Sequence, residues 1–166
     1  MDRRQLLAGG AAVAAALPVL ATSPALAQDA AMDEAKMAAL EGGKFLMMTS
    51  QLAQEKGESD NVKAFANLEV AEQTAVARAF GAEGADIPLN EQHQATYDQL
   101  SGLEGAEFDA AYLQAQITGH QEARPIHEEY AENGEDPMAR GASMVGVTGI
   151  DTHLVMLESF MAQMSN

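Results

Sequence analysis

The longest helical pattern in the sequence runs from Phe108 to Tyr130 and contains two of the four histidines. At about 100° of rotation per residue, one side of this helix carries a polar line along the edge of its apolar face. The residues on that side are Asp109, Tyr112, Gln116, His120, Ala123 and His127. The pattern predicts a long amphipathic helix that begins near Gly105, with the other helices packed around it.

Four further stretches also have helical spacing. They cover about residues 33–56, 61–80, 90–100 and 137–164. In the last of them, apolar residues alternate at intervals of three and four, which is the spacing of a bundle seam. Tryptophan is absent and aromatic residues make up only 5% of the chain, so a sheet is disfavoured. The sequence therefore predicts an all-α bundle of four main helices with one short extra helix.

Residues 1–27 have the organisation of an export signal. The pair Arg3-Arg4 precedes a run of small and apolar residues, and Ala25-Leu26-Ala27 forms a cleavage motif. Two leucines after the arginine pair resemble a twin-arginine signal, and general secretion is the alternative because an acidic residue precedes the pair. We predict a signal peptide at 1–27, a flexible tail at 28–32 and a bundle at 33–166. The expected location is periplasmic or secreted.

The charge of the chain limits its partners. The formal net charge is −16; removing Asp2, Arg3 and Arg4 with the signal leaves 24 acidic and seven basic residues, or −17. Such a surface argues against nucleic acid and anionic lipid, and is compatible with cations, with a basic protein partner or with solubility alone. Cysteine is absent, which excludes disulfides and thiolate sites. No membrane span is expected after signal cleavage.

Polar residues also fall on the core side of the second helix. Glu69 and Gln73 lie in the same arc as Phe65, and Glu72 lies beside that phenylalanine. Buried polar groups need partners, and a splayed, hydrated helix end is the alternative. We expect His93 on the short helix to be a surface residue.

Similar expectations apply to the long helix. Asp109 should help to start it near its positive end, and Tyr112 should pack with its hydroxyl group hydrogen-bonded elsewhere. Near Pro125, which should kink the helix, we expect His127 and Glu128 to be exposed.

With these helices in view, several short motifs resemble the DUF4142 family, over about Leu40 to Phe160. The motifs are Asn61-Val62-Lys63-Ala64-Phe65-Ala66, Leu100-Ser101-Gly102, Phe108-Asp109-x-x-Tyr112, His120 and His153. Members of this family are exported helical proteins of the ferritin-like class, often labelled outer membrane proteins. The resemblance implies a ferritin-like, up-and-down four-helix bundle with a short extra helix, and it implies no established activity.

The sequence departs from the family pattern at two places. The family usually has a glutamate in its first helix, where this chain has Met47-Met48. It usually has an acidic residue followed by histidine in its second helix, where this chain has Glu72-Gln73. If those positions form a metal site in relatives, this chain has lost part of it.

Ferritin-like metal sites use inward Glu and His residues, including Glu-x-x-His pairs. This chain has no such pair at that spacing. The candidate metal ligands are Glu69, Glu72, Gln73, His120 and His153. They could hold one divalent cation, or they could form a hydrogen-bonded core network.

No complete catalytic set, nucleotide-binding loop or hydrolase motif occurs in the sequence, so the sequence favours a non-enzymatic role. We expect an exported bundle that acts through its acidic surface, in binding or in envelope stress tolerance. The alternative is a ferritin-like bundle that binds iron, manganese, zinc or copper for redox or storage. Methionines such as Met144, Met161 and Met164 are expected to fill gaps in the core.

Overall fold

The computed structural model describes the backbone of residues 24–164 and the side chains of residues 34–164. The described chain forms five helices: α1 (Pro24–Lys56), α2 (Asp60–Ala79), α3 (Glu91–Ser101), α4 (Gly105–Asn133) and α5 (Pro137–Met164). The all-α prediction is confirmed. Most of the predicted signal peptide lies outside the described residues.

The four long helices form a ring in the order α1, α2, α5, α4. Short turns make α1 antiparallel to α2 and α4 antiparallel to α5. Ser50 contacts Tyr112 and Leu46 contacts Gln116, so α4 is antiparallel to α1. Because α2 and α4 therefore run in the same direction, the chain must cross the length of the bundle between them. The crossover contains α3, and a crossover of this kind is typical of ferritin-like bundles. The long helices therefore do not alternate in direction along the chain, as the expected up-and-down order requires.

The core is apolar along most of the bundle and is divided into two clusters. The larger cluster surrounds the first half of α4, and its buried aromatic members are Phe45, Phe65, Phe108 and Tyr112. The smaller cluster closes the end where α2 leads into the crossover, and it contains Leu40, Phe80 and Tyr130. Between them, on the side of α2, α4 and α5, lie the buried polar residues described below.

The helix bounds agree with the sequence patterns except at the start of α1. This helix begins at Pro24, so residues 28–32, predicted as a flexible tail, are helical. Ala30 and Ala31, with Gln28 and Met32, favour this conformation, because all three residue types have high helix propensity. Asp136 caps α5 as predicted, since its Oδ1 accepts hydrogen bonds from the backbone N–H groups of Met138 and Ala139.

Some side-chain predictions were wrong. Met144 is 60% exposed and Met164 is 38% exposed, so neither fills the core. Asp109 does not act on its own helix alone: its carboxylate accepts hydrogen bonds from the N–H groups of Glu58 and Ser59 in the α1–α2 turn. These two N–H groups precede the first residue of α2, so Asp109 fixes the turn before that helix, while its N-cap residue Ser59 makes no side-chain cap hydrogen bond. Tyr112 is buried and bonded to Ser50, as expected.

Among the helices of residues 24–164, none is both long and apolar enough to cross a membrane.

Candidate functional site

A buried polar cluster lies where α2, α4 and α5 meet. Glu69 comes from α2, His120 from α4 and His153 from α5. Glu69 and His120 are fully buried, and His153 is 8% exposed. Each is on the inward side of its helix because the apolar residues three and four positions away, such as Phe65 before Glu69 and Leu157 after His153, pack in the core.

The ligand atoms of these three residues form a small triangle. Oε2 of Glu69 lies 3.4 Å from Nε2 of His120 and 3.3 Å from Nδ1 of His153. The third side, from His120 Nε2 to His153 Nδ1, measures 3.1 Å. No other group of three or more such residues with convergent ligand atoms occurs among the described side chains.

The outer nitrogen atom of each imidazole already has a partner. His120 Nδ1 lies 2.8 Å from the backbone oxygen of Gln116; because a carbonyl can only accept, this nitrogen carries the proton and Nε2 has the lone pair in the neutral ring. His153 Nε2 lies 3.4 Å from Oε2 of Glu72. The carboxylate favours a proton on that nitrogen, which leaves the lone pair of Nδ1 directed toward Glu69.

Glu69 is also held from outside the triangle. Gln73 Nε2 donates a hydrogen bond of 2.9 Å to Oε1 of Glu69. The other oxygen, Oε2, is buried without a hydrogen-bond partner. Three lone pairs therefore converge on one point inside the bundle, and only a proton or a metal cation can relieve their mutual repulsion.

The pKa values follow from this arrangement. Burial acts to raise the pKa of Glu69, but the close imidazole groups of His120 and His153, when they carry a proton, and the Gln73 amide outweigh it and lower the pKa to about 2. Burial acts to lower the pKa of His153, but Glu69 and Glu72 raise it above its ordinary value. Burial raises the pKa of Glu72 more than the charge of His153 lowers it. The cluster thus favours a carboxylate at Glu69 and a cation beside it.

A second polar network continues from the cluster along α4. Gln116 Nε2 donates to Oγ1 of Thr49 at 2.8 Å and also lies 3.3 Å from Ser50 Oγ, and Ser50 bonds to the hydroxyl of Tyr112 at 2.9 Å. Burial raises the pKa of Tyr112 far above its ordinary range, so its hydroxyl stays protonated. This network fixes Gln116 and with it the carbonyl that orients His120.

All five candidate ligands from the sequence lie in this region, three at its centre and two beside them. Glu69, His120 and His153 converge on one point. Glu72 and Gln73 do not reach that point; each contacts one of the three converging side chains. The alternative of a hydrated helix end is wrong for Glu69, which is fully buried, and holds in part for Glu72, whose side chain is 36% exposed.

Two predictions about the other histidines were wrong. His93 is buried rather than on the surface: its ring stacks on Phe45, Nδ1 lies 2.7 Å from Glu41 and Nε2 lies 3.2 Å from Glu122. It holds α3 against α1 and α4. His127 is 6% exposed, because Phe80 packs against its ring and Ser143 bonds to Nδ1.

The family comparison agrees with the motifs. A family model described as a domain of unknown function (DUF4142) matches residues 14–160. No curated protein and no solved structure matches the chain.

Proposed function

Because the chain belongs to the DUF4142 family, a domain of unknown function, we propose a function from its own residues: it binds one divalent transition-metal ion through Glu69, His120 and His153. Two imidazoles and a carboxylate form a borderline donor set, which suits zinc, iron, manganese or copper rather than calcium or magnesium. Of the two roles that the sequence left open, the metal-binding bundle is the one that this geometry favours.

The observation that carries the proposal is the size of the triangle. Around a tetrahedral ion with ligand bonds of about 2.0–2.1 Å, neighbouring ligand atoms are about 3.3–3.4 Å apart. The three sides here measure 3.1, 3.3 and 3.4 Å. Around an octahedral ion with the same bond length, the sides would be about 2.8–3.0 Å. An ion that accepts tetrahedral coordination, zinc above all, therefore fits with little movement of the ligands.

The partners outside the triangle support the same proposal. Histidine ligands of metals almost always donate their second N–H to a carboxylate or a carbonyl, which fixes the tautomer and the ring orientation. Glu72 faces His153 in this way, and the Gln116 carbonyl accepts from His120. A bound ion would also satisfy the buried oxygen of Glu69 that lacks a hydrogen bond.

Three protein ligands leave at least one coordination position for water or a small molecule. A cleft of about 480 Å³ between α2 and α5 reaches the outer edge of the cluster at Glu72 and His153. Its walls are made of small residues, including Gly149, where an added Cβ would lie 3.1 Å from Oε1 of Glu72. This cleft brings solvent to the outer side of the ligand His153, which suits metal exchange or storage better than a closed structural site.

Export is part of the same proposal. The arginine pair and the cleavage motif before Gln28 favour a periplasmic or secreted protein, and the twin-arginine route would carry the folded bundle with its ion already bound. Cell fractionation of the tagged full chain tests this, with a substitution of Arg3 and Arg4 by lysine as the variant. Retention of that variant in the cytosol supports the twin-arginine route, and normal export of it contradicts that route.

The experiment for the metal site is elemental analysis of the exported protein, followed by titration of the metal-free protein with Zn²⁺ and Co²⁺. We expect one equivalent of ion per chain. Cobalt in the site should show the intense visible absorption of four-coordinate Co²⁺. The double variant H120Q/H153Q should lose the ion and the spectrum.

The matched control is His127→Gln, which changes another buried histidine of α4 outside the cluster. This variant should bind the ion as the unchanged protein does. If the purified protein carries no ion and the titrations show no saturable binding, the metal proposal is wrong. The acidic-surface role would then be preferred, and H120Q/H153Q would change only stability.

A further inference from the structure

A second pocket lies on the opposite side of α2 from the α5 cleft, between α1, α2 and the segment that follows α2. Its volume is about 230 Å³. Most of the wall is aliphatic and comes from Ala39, Leu40, Met47, Val76, Ala77, Ala82 and Ile87. The segment over the pocket turns sharply at Gly81 and Gly84, which have φ angles of 69° and 74°. The pocket exists because the residues of α1 and α2 that face it are mostly small, and because the turning segment does not fill the space.

One unpaired positive charge lines this pocket. Lys44 of α1 contributes to its wall, and no hydrogen bond or ion pair joins its ammonium group to a described residue. The acidic residue in the wall, Glu83, is already neutralised because both of its carboxylate oxygens bond to the guanidinium group of Arg78. In a chain with a net charge of −16, a largely apolar pocket whose one unpaired charge is an ammonium group is suited to an anion.

A polar acceptor is available as well. Gln73 lines the pocket, and its Oε1 lies 2.5 Å from the position that a Cβ at residue 43 would take. A side chain at residue 43 would therefore displace the Gln73 amide from this position. The Gln73 amide nitrogen is used by Glu69, so its oxygen remains for a donor from a ligand or a bound water.

From these observations we propose that the pocket binds a small amphiphilic monoanion, namely a carboxylate with a short aliphatic chain. The carboxylate pairs with Lys44, and the chain lies against Leu40, Val76 and Ile87. At about 30 Å³ for each water-sized group, the pocket holds roughly seven or eight non-hydrogen atoms, the size of hexanoate. A ligand of this size binds with a Kd on the order of 1 mM.

The rest of the surface would repel the same anion. Its charges are screened beyond about 8 Å at 0.15 M ionic strength, whereas Lys44 and the bound carboxylate would be in direct contact. The aliphatic wall adds the free energy of apolar burial, about 25 cal/mol per Å². Selectivity should therefore come from the ammonium group and affinity largely from the wall.

The test is a titration of the metal-free full chain with hexanoate at about 0.15 M salt, followed by protein NMR. Hexylamine and 1-hexanol are the probes of equal length and different charge. We expect saturable shifts at the backbone amides of Gly43, Val76 and Ala82, with hexanoate binding more tightly than the other two. Lys44→Gln should weaken hexanoate binding about five- to tenfold, and Lys44→Glu should reverse the preference toward hexylamine.

Lys63→Gln is the matched control, since it makes the same charge change at an exposed position of α2 outside the pocket. It should leave hexanoate binding unchanged. Ala77→Leu should fill the pocket and abolish binding while the circular dichroism spectrum stays helical. Equal binding of hexanoate and hexanol, or equal effects of the Lys44 and Lys63 variants, would overturn the proposal. Since metal is absent throughout, this result does not depend on metal binding by Glu69, His120 and His153.

Discussion

Replacing Glu69 with glutamine tests the charge balance of the buried cluster in the metal-free protein. The side chain keeps its size, and its amide oxygen can still accept the hydrogen bond from Gln73. What is lost is the negative charge between His120 and His153. The pKa of Glu69 falls from 4.5 to about 2 in the folded chain, and at about 1.36 kcal/mol per unit this difference corresponds to about 3.4 kcal/mol of folding stability. Because neighbouring groups relax, we expect a loss of about 2–3 kcal/mol.

The pH window follows from the directions of two shifts. A lowered carboxyl pKa gives stability that is complete above the unfolded value of 4.5 and is lost as the pH falls toward about 2. The raised pKa of His153 gives stability that is complete below its unfolded value of 6.5 and is lost as the pH rises through the folded value. The cost of Glu69→Gln should therefore be greatest between pH 4.5 and 6.5.

The assay is urea denaturation with a chelator present, monitored by circular dichroism across this range. In thermal melts, a loss of 2–3 kcal/mol lowers Tm by roughly 5–10 °C for a chain of this size. The control is Glu72→Gln, one turn away on the same helix and half-buried, which should cost less. If Glu69→Gln is as stable as the unchanged protein throughout the window, or is most harmful above it, the ion-pair explanation is wrong.

Further predictions concern groups outside the metal site. Burial lowers the pKa of His127, so the unchanged protein should lose stability as the pH falls below 6.5, and His127→Gln should reduce that part of the pH dependence in denaturation curves. Asp109→Ala should cost about 2–3 kcal/mol in urea denaturation, because two backbone N–H groups in the α1–α2 turn lose a charged acceptor. In thermal melts, Gly42→Ala should stabilise the chain by up to about 1 kcal/mol, since nothing lies within 4 Å of the new Cβ. Gly119→Ala should destabilise it by about 1–3 kcal/mol, because its Cβ would lie 2.7 Å from Cδ2 of the buried Leu46.

The sequence predicts the helices well because their signals are local. Asp136 and Pro137 lie side by side in the chain, so the start of α5 needs no knowledge of the rest of the fold. The contacts of His93 could not be predicted in this way. Its partners Glu41 and Glu122 are 52 and 29 residues away, and they meet it only because the crossover places α3 beside α1 and α4. The polar appearance of the short helix therefore suggested a surface position.

The cluster shows where helical periodicity stops being informative. Periodicity placed Glu69, His120 and His153 on or beside the inner faces of three helices, but a face covers several residues on each helix. The distances between ligand atoms depend on the register of α2 against α4 and α5, which close approaches such as that of Glu72 to Gly149 help to set. Because of this register, Glu72 and Gln73 contact the ligands His153 and Glu69 and do not reach the point where the three ligand atoms converge. A buried carboxylate between two imidazoles is stable only with a shared proton or a bound ion, and metal binding should therefore release protons from this cluster.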